Sequence, residues 1–332
     1  MILFHQIKAM KKRVLSGIQP SGRLHLGNYF GMIRRMVKYQ ESSDLFCFIA
    51  NLHSLTTLTD AKAMKELTLE AAMDMLALGI DPKKSVFWVQ SDVPEVAELT
   101  WVLSCITPMG LMERAHSYKD KVAKGILPNL GLFNYPALMA ADILIYQSNL
   151  VPVGKDQKQH VEMTRDIALK FNSIFGDTFV IPEPEIPEEV ATVPGTDGQK
   201  MSKSYNNTIP IFGTDAEIKK AVMGIVTDSK PVEAPKDPAT CSVFKLYALF
   251  ASKKEADELA KKYKAGGMGY GDAKKMLLEK IMAEFKPFRE KRDYLEAHPA
   301  EVEKILDEGA ERARLIAHST MEKVRASTGL SY

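Results

Sequence analysis

The chain has 332 residues, with 44 lysines and arginines set against 42 aspartates and glutamates for a formal charge of +2. Apolar residues make up 45% and charged residues 26%, ordinary globular usage that excludes a disordered or collagen-like chain. No run approaches the roughly 20 consecutive apolar residues needed to span a bilayer. The basic cluster Lys11-Lys12-Arg13 follows the first apolar residues instead of preceding them, unlike a secretory leader. With Met10 just ahead of that cluster, residues 1–9 read as an upstream extension. Three scattered cysteines, Cys47, Cys105 and Cys241, fit neither a disulfide framework nor a zinc site, so a reducing, cytoplasmic location is expected.

Strand-like and helix-like segments alternate in the first half. Residues 13–17 suit a short strand, followed by the Pro- and Gly-containing loop 19–22. From Gly27 to about Glu41 the pattern is helical, with Tyr29, Ile33, Met36 and Val37 on one face. Residues 45–50 (LFCFIA) and 85–89 (SVFWV) are continuous apolar runs of strand length, as expected of strands covered on both faces. Between them Asp60 can cap a helix that Gly79 and Pro82 end. This alternation predicts an α/β fold with a doubly wound parallel sheet. After the loop 151–154, Asp156 is expected to cap a helix whose His160, Thr164, Ile167 and Phe171 share a face. Residues 181–200 read as a Pro- and Gly-rich mobile connector. Beyond about 210 only helical patterns recur, at 215–225, 243–264, 272–296 and 299–327. Residues 261–292 hold ten basic against four acidic residues, which suits either a solvated helical surface or a phosphate-contacting face.

Three segments could carry chemistry. Gln19-Pro20-Ser21-Gly22-Arg23-Leu24-His25-Leu26-Gly27-Asn28 lies at a strand–helix junction, and in open α/β sheets ligands bind outside the carboxyl ends of strands. Gly27 permits close approach to the backbone, the helix start favours phosphate, and His25 and Asn28 add donors. Lys200-Met201-Ser202-Lys203-Ser204 places two lysines three residues apart in a Gly-rich loop, suiting a clamp on developing negative charge. In the segment 135–157, Asp142 interrupts an apolar run and must be paired or solvated. It suits either a structural hydrogen bond or an acceptor at the base of a substrate pocket. His53, just past the run 45–50, also sits at a cleft-facing strand end. Taken one at a time, each has a bland reading: a tight turn, a solvated basic loop, a structural carboxylate, a packed histidine.

Together, HLGN at 25–28, GKDQKQH at 154–160 and KMSKS at 200–204 resemble the class I aminoacyl-tRNA synthetases, with HLGN a variant of their HIGH motif. SGIQPSG (16–22), YPALMAADILIY (135–146), VPVGKDQKQH (151–160) and TDS (227–229) are similar to the bacterial tryptophanyl branch, and the resemblance runs from about residue 14 to 329. It implies a Rossmann-type catalytic domain over 1–206, a helical anticodon-binding domain over 207–305 and a final segment, 306–332, folding back on the catalytic domain. It also implies formation of tryptophanyl-adenylate from L-tryptophan and ATP, then transfer to tRNA(Trp), in a homodimer; the Met-rich and aromatic segment near 100–115 suits either an interface or the core.

The roles implied by the resemblance are as follows. Gln19, Pro20, Ser21, His25, Gly27 and Asn28 would bind ATP, with Gly154, Lys155 and Asp156 on its adenosine side. Lys200 and Lys203, in a loop with Met201, Ser202 and Ser204, would hold the departing pyrophosphate; magnesium would bridge phosphates without a dedicated protein site. Tyr135 and Gln157 would grip the substrate ammonium, Met139, Val151, Val153 and His53 would wall the indole, and Asp142 would accept its N–H. Lys119 and Lys121 would add phosphate contacts. The sequence departs from the family at Asn51, where an acidic residue is expected, at Ser117, and in the short loop 193–199. A sister tyrosyl enzyme, a non-catalytic RNA-binding paralogue and a small adenylyltransferase are the competing readings.

Overall fold

The computed structural model describes residues 11–115, 129–186 and 193–332; residues 1–9, Ser117 and the expected phosphate contacts Lys119 and Lys121 lie outside them. Five parallel strands form one sheet: β1 (Arg13–Ile18), β2 (Asp44–Ile49), β3 (Ser85–Val89), β4 (Leu150–Pro152) and β5 (Glu183–Glu185), in the order β3-β2-β1-β4-β5. The central strands are covered on both faces, and their apolar runs split by parity. Leu45, Cys47 and Ile49 enter one core cluster, while Phe46 and Phe48 enter the other. Beyond β3 the chain crosses back to the far side of β1, so the order reverses between β1 and β4. A crevice outside the carboxyl ends of those two strands follows from this topology.

Several local expectations are corrected. The helix predicted from Gly27 is interrupted: Leu26–Asn28 is followed by a π-turn over Tyr29–Ile33, then by Arg34–Ser42. Counting at a period of 3.6 does not register one inserted residue, and such turns gather at functional sites. The connector 181–200 contributes β5, which adds an edge to the sheet through β4. The pattern at 243–264 is two helices, Ser242–Ala248 and Lys253–Ala265. The second begins at a capping box in which Ser252 and Glu255 satisfy each other's backbone N–H groups. Asp60 does cap its helix, accepting from Ala63 N at 2.9 Å.

The C-terminal helices join the first core cluster through Ile218, Val243, Leu259, Leu277, Ile281 and Phe285, with the Phe285 ring edge-on to Tyr29 at 5.0 Å. The last helix, Pro299–Thr328, is continuous across residue 306 and lies along β3. Its approach is close enough that a Cβ on Gly309 would meet the Phe87 carbonyl oxygen at 1.8 Å. Arg312 donates to the carbonyls of Pro82 and Ser85 at 2.9 and 3.0 Å, and Arg325 forms a fork on Glu98. An edge strand is thereby covered.

Basic residues in 261–292 do not form one free face. Lys274 donates to the Met223 carbonyl, Lys280 pairs with Glu255, Arg289 with Asp215, and Arg292 with the buried Asp74. Lys261, Lys262 and Lys264 are exposed. Among the described residues no helix is long and apolar enough to cross a membrane.

Candidate active site

A cleft of about 860 Å³ opens where the topology requires one, with the carboxyl ends of β1 and β4 on its walls. Beyond β1 come Gln19, Gly27 and Asn28; from β4 and its following turn come Val151, Val153, Gly154, Lys155, Asp156 and Gln157. The helix Leu130–Ile145 presents Tyr135, Met139 and Asp142, spaced i, i+4, i+7 and so on one face. His53, Lys200 and Met201 complete the expected residues along the wall.

Pro20, Ser21, His25, Ser202, Lys203 and Ser204 do not line the cleft. Lys203 Nζ instead donates to the carbonyls of Ser21 and Gly22 at 3.0 and 2.8 Å, tying the two signature loops together. Gly27 N–H points at Met201 Sδ, 3.3 Å away. A Cβ on Gly27 would stand 2.9 Å from the His25 ring and 3.3 Å from Met201 Cβ, so only glycine lets the loops meet. His25 is 6% exposed. Burial, helped by the Lys203 charge, pushes its pKa down to about 4, so the imidazole is neutral at pH 7. Asn28 Oδ1 accepts the His25 backbone N–H at 3.1 Å.

Asp156 does not cap the following helix. Residues Lys155–Gln157 form a 3₁₀ turn, the helix starts at Lys158, and the Asp156 carboxylate accepts from Gln157 Nε2 at 3.2 Å. Tyr135 hydroxyl is hydrogen-bonded to His160 Nε2, which makes His160 a buried support for a cleft residue.

Asp142 is 2% exposed and both oxygens of its carboxylate are engaged from behind. Oδ2 lies 2.8 Å from His53 Nε2, and both oxygens lie 2.8 Å from Gln90 Nε2. His53 is thus both a wall residue and a partner of Asp142. Two supporting residues were not singled out from the sequence. Gln90 follows β3 directly, so the strand-end rule that drew attention to His53 could have found it. Asn207, buried just past the lysine loop, accepts from Ser202 N at 2.7 Å and donates to Asp197 and to the Lys200 carbonyl. Its local sequence carried no signal.

The family model for class I tRNA synthetases of the tryptophan and tyrosine branch matches residues 8–286. The chain belongs to this family. A tryptophan–tRNA ligase of Fusobacterium nucleatum is 57% identical over 320 residues, covering 96% of this chain and 98% of that relative. A Campylobacter jejuni tryptophanyl-tRNA synthetase, solved in complex with ADP and tryptophan, superposes with a TM-score of 0.92 at 55% identity, covering 96% of this chain and 99% of the other. A tyrosyl-tRNA synthetase of Archaeoglobus fulgidus has the same fold, with a TM-score of 0.65 at 19% identity. In this chain the Asp142 cluster forms a buried wall of the cleft.

Proposed function

We propose that the chain is a tryptophan–tRNA ligase: it joins L-tryptophan and ATP into tryptophanyl-adenylate with release of pyrophosphate, then transfers the amino acid to tRNA(Trp). The observation that carries the substrate assignment is Asp142. Indole N–H is only a donor and an ionised carboxylate only an acceptor, so the two are matched. A substrate lacking that donor would leave the cleft-facing acceptor site of a buried carboxylate unfilled, a mismatch of the kind by which a site discriminates without editing.

The α-carboxylate of tryptophan attacks the α-phosphorus of ATP. It is ionised at neutral pH, so no general base is required, and the site works by positioning and electrostatics. Tyr135 and Gln157 hold the ammonium; Met139, Val151 and Val153 enclose the indole. Gln19, Gly27 and Asn28 receive the triphosphate, and Gly154, Lys155 and Asp156 face the adenosine. Lys200, with Lys203 moved from the carbonyls it now contacts, stabilises the pyrophosphate as it leaves. Among the described residues no group of three His, Cys, Asp or Glu side chains could hold a metal ion. The phosphate side is lysine-lined, a poor match for a hard cation's oxygen ligands. Magnesium would arrive bound to the nucleotide's phosphates.

Residues 1–206 serve as the catalytic domain and 207–305 as the anticodon-binding domain, the boundary with 306–332 falling inside the last helix, Pro299–Thr328, which closes back on the sheet. The chain acts as a homodimer on this proposal, with exposed Trp101 (73%) and Met109 (63%) of the segment 100–115 available to its interface. Amino-acid-dependent exchange of pyrophosphate into ATP tests the central reaction. Tryptophan supports exchange and tyrosine does not; exchange with tyrosine alone would overturn the pocket assignment. Charge reversal at Lys261, Lys262 and Lys264 raises the KM for tRNA and leaves that for tryptophan unchanged; an unaltered tRNA KM would remove these lysines from the RNA face.

A further inference from the structure

Gln90 does not line the cleft, belongs to none of the motifs, and is 1% exposed. Its amide nevertheless joins three elements. The oxygen accepts the backbone N–H groups of Leu52 at 3.0 Å and His53 at 3.4 Å. Both belong to the first turn of the short helix Asn51–Ser54, where N–H groups have no partner within the helix. With its oxygen engaged there, the amide can present only its NH₂ group on the other side. That nitrogen is the one 2.8 Å from both oxygens of Asp142. The same short helix delivers His53, whose Nε2 reaches Asp142 Oδ2 at 2.8 Å. One side chain at the end of β3 therefore orients the carboxylate directly and sets the imidazole through the backbone.

The count of lone pairs gives this arrangement a chemical consequence. A carboxylate offers about four acceptor sites. Two contacts on Oδ2 and one on Oδ1 leave about one, on Oδ1, and Asp142 borders the cleft. Any further polar neighbour in so buried a place would go unsatisfied.

We propose that Gln90 is a specificity-determining positioning residue, which holds Asp142 by both oxygens and leaves a single acceptor site for one ring N–H of the substrate. This deepens, and rests on, the assignment of Asp142 as the indole acceptor. Removing the Gln90 NH₂ group frees the carboxylate to rotate and weakens the preference for a donor, with no direct effect on the nucleotide side.

The test is pyrophosphate exchange by the full-length chain and two variants, with tryptophan and with 3-benzothienylalanine, in which sulfur replaces the ring N–H. Gln90→Met keeps the length and removes all hydrogen bonding. Gln90→Glu keeps an oxygen for Leu52 and His53 but turns an acceptor towards Asp142. In both variants kcat/KM for tryptophan falls roughly 10- to 100-fold, as expected for one hydrogen bond to a charge. The loss lies in the tryptophan KM, the ATP KM is unchanged, and the preference for tryptophan over the sulfur analogue shrinks by the same factor. A normal tryptophan KM in Gln90→Glu would overturn the proposal, because holding the helix start would then be the whole role. Equal losses for tryptophan and the analogue would overturn it as well, as a general packing defect. Absence of any preference in the unmutated chain marks a different failure, that of the Asp142 assignment itself.

Discussion

The two sides of the cleft are built on opposite plans. On the side proposed to take the indole the polar groups are buried or half-buried and already bonded: Asp142 to His53 and Gln90, Tyr135 to His160. On the side proposed to take the nucleotide Lys155, Asp156 and Lys200 are exposed, and Lys203 rests on backbone carbonyls that a phosphate would displace. The difference follows from what each side must do. Recognition of a fixed, neutral ring is best served by groups held rigidly in low dielectric, where an unmatched partner is costly. Stabilisation of a leaving group requires contacts that strengthen as charge develops, so its cations must not be satisfied permanently beforehand.

This contrast can be broken most severely at Asp142. Asp142→Asn turns an NH₂ group towards Gln90 and His53 and removes the charge; tryptophan activation should fall by roughly 10²–10⁴-fold, with the ATP KM preserved. Near-normal exchange would place recognition elsewhere. Lys203→Ala should act in the opposite manner, lowering kcat for activation by about 10²-fold and leaving the tryptophan KM unchanged, as for loss of one charge-stabilising group. A rise in the tryptophan KM would erase the division between the two sides. Asn207→Ala sharpens it further. It releases Ser202 N–H, Asp197 and the Lys200 carbonyl together, and activation should drop about tenfold with tryptophan binding, read by fluorescence titration, unaffected.

The smallest effect concerns stability. His25 has a folded-state pKa of about 4, below its ordinary 6.5, so protonation favours the unfolded chain. Its contribution is fully present above about pH 6.5 and is lost progressively as pH falls towards 4. Asp74, raised to about 6 by burial against the pull of Arg292, works with the opposite sign: its contribution is full below about pH 3.8 and is lost as pH rises through 6. Comparing the unmutated chain with His25→Asn separates the two. The difference in unfolding free energy should narrow between pH 7 and pH 5, and a constant difference would show that the imidazole is not desolvated as the structure requires.

The reasons for what could and could not be read in advance differ from residue to residue. The runs 45–50 and 85–89 were legible because a strand buried on both faces must be apolar at every position. His25, Gly27, Lys200 and Lys203 were legible because their order along the chain resembles a family pattern. Gln90 was legible only as a strand end, since an amide after an apolar strand has no assignable role until its neighbours are known. Ser252 and Glu255 were legible in principle, as a capping box, but lay inside a pattern read as one helix. The π-turn at Tyr29–Ile33 changes the period by a single residue, which composition does not reveal.

By itself, the sequence determined the alternation of buried strands and helices, the cleft-facing turn after β1, and the need for Asp142 to find partners. Each is a local consequence of side-chain polarity and spacing. Tertiary structure alone decided which partners Asp142 found, that the connector supplies β5, that Lys203 bridges to the first loop, and that Gly309 lets the final helix lie against β3. Those outcomes join residues far apart in the chain, and hydrogen bonds and close contacts across such separations depend on relative placement in space, which no local pattern encodes.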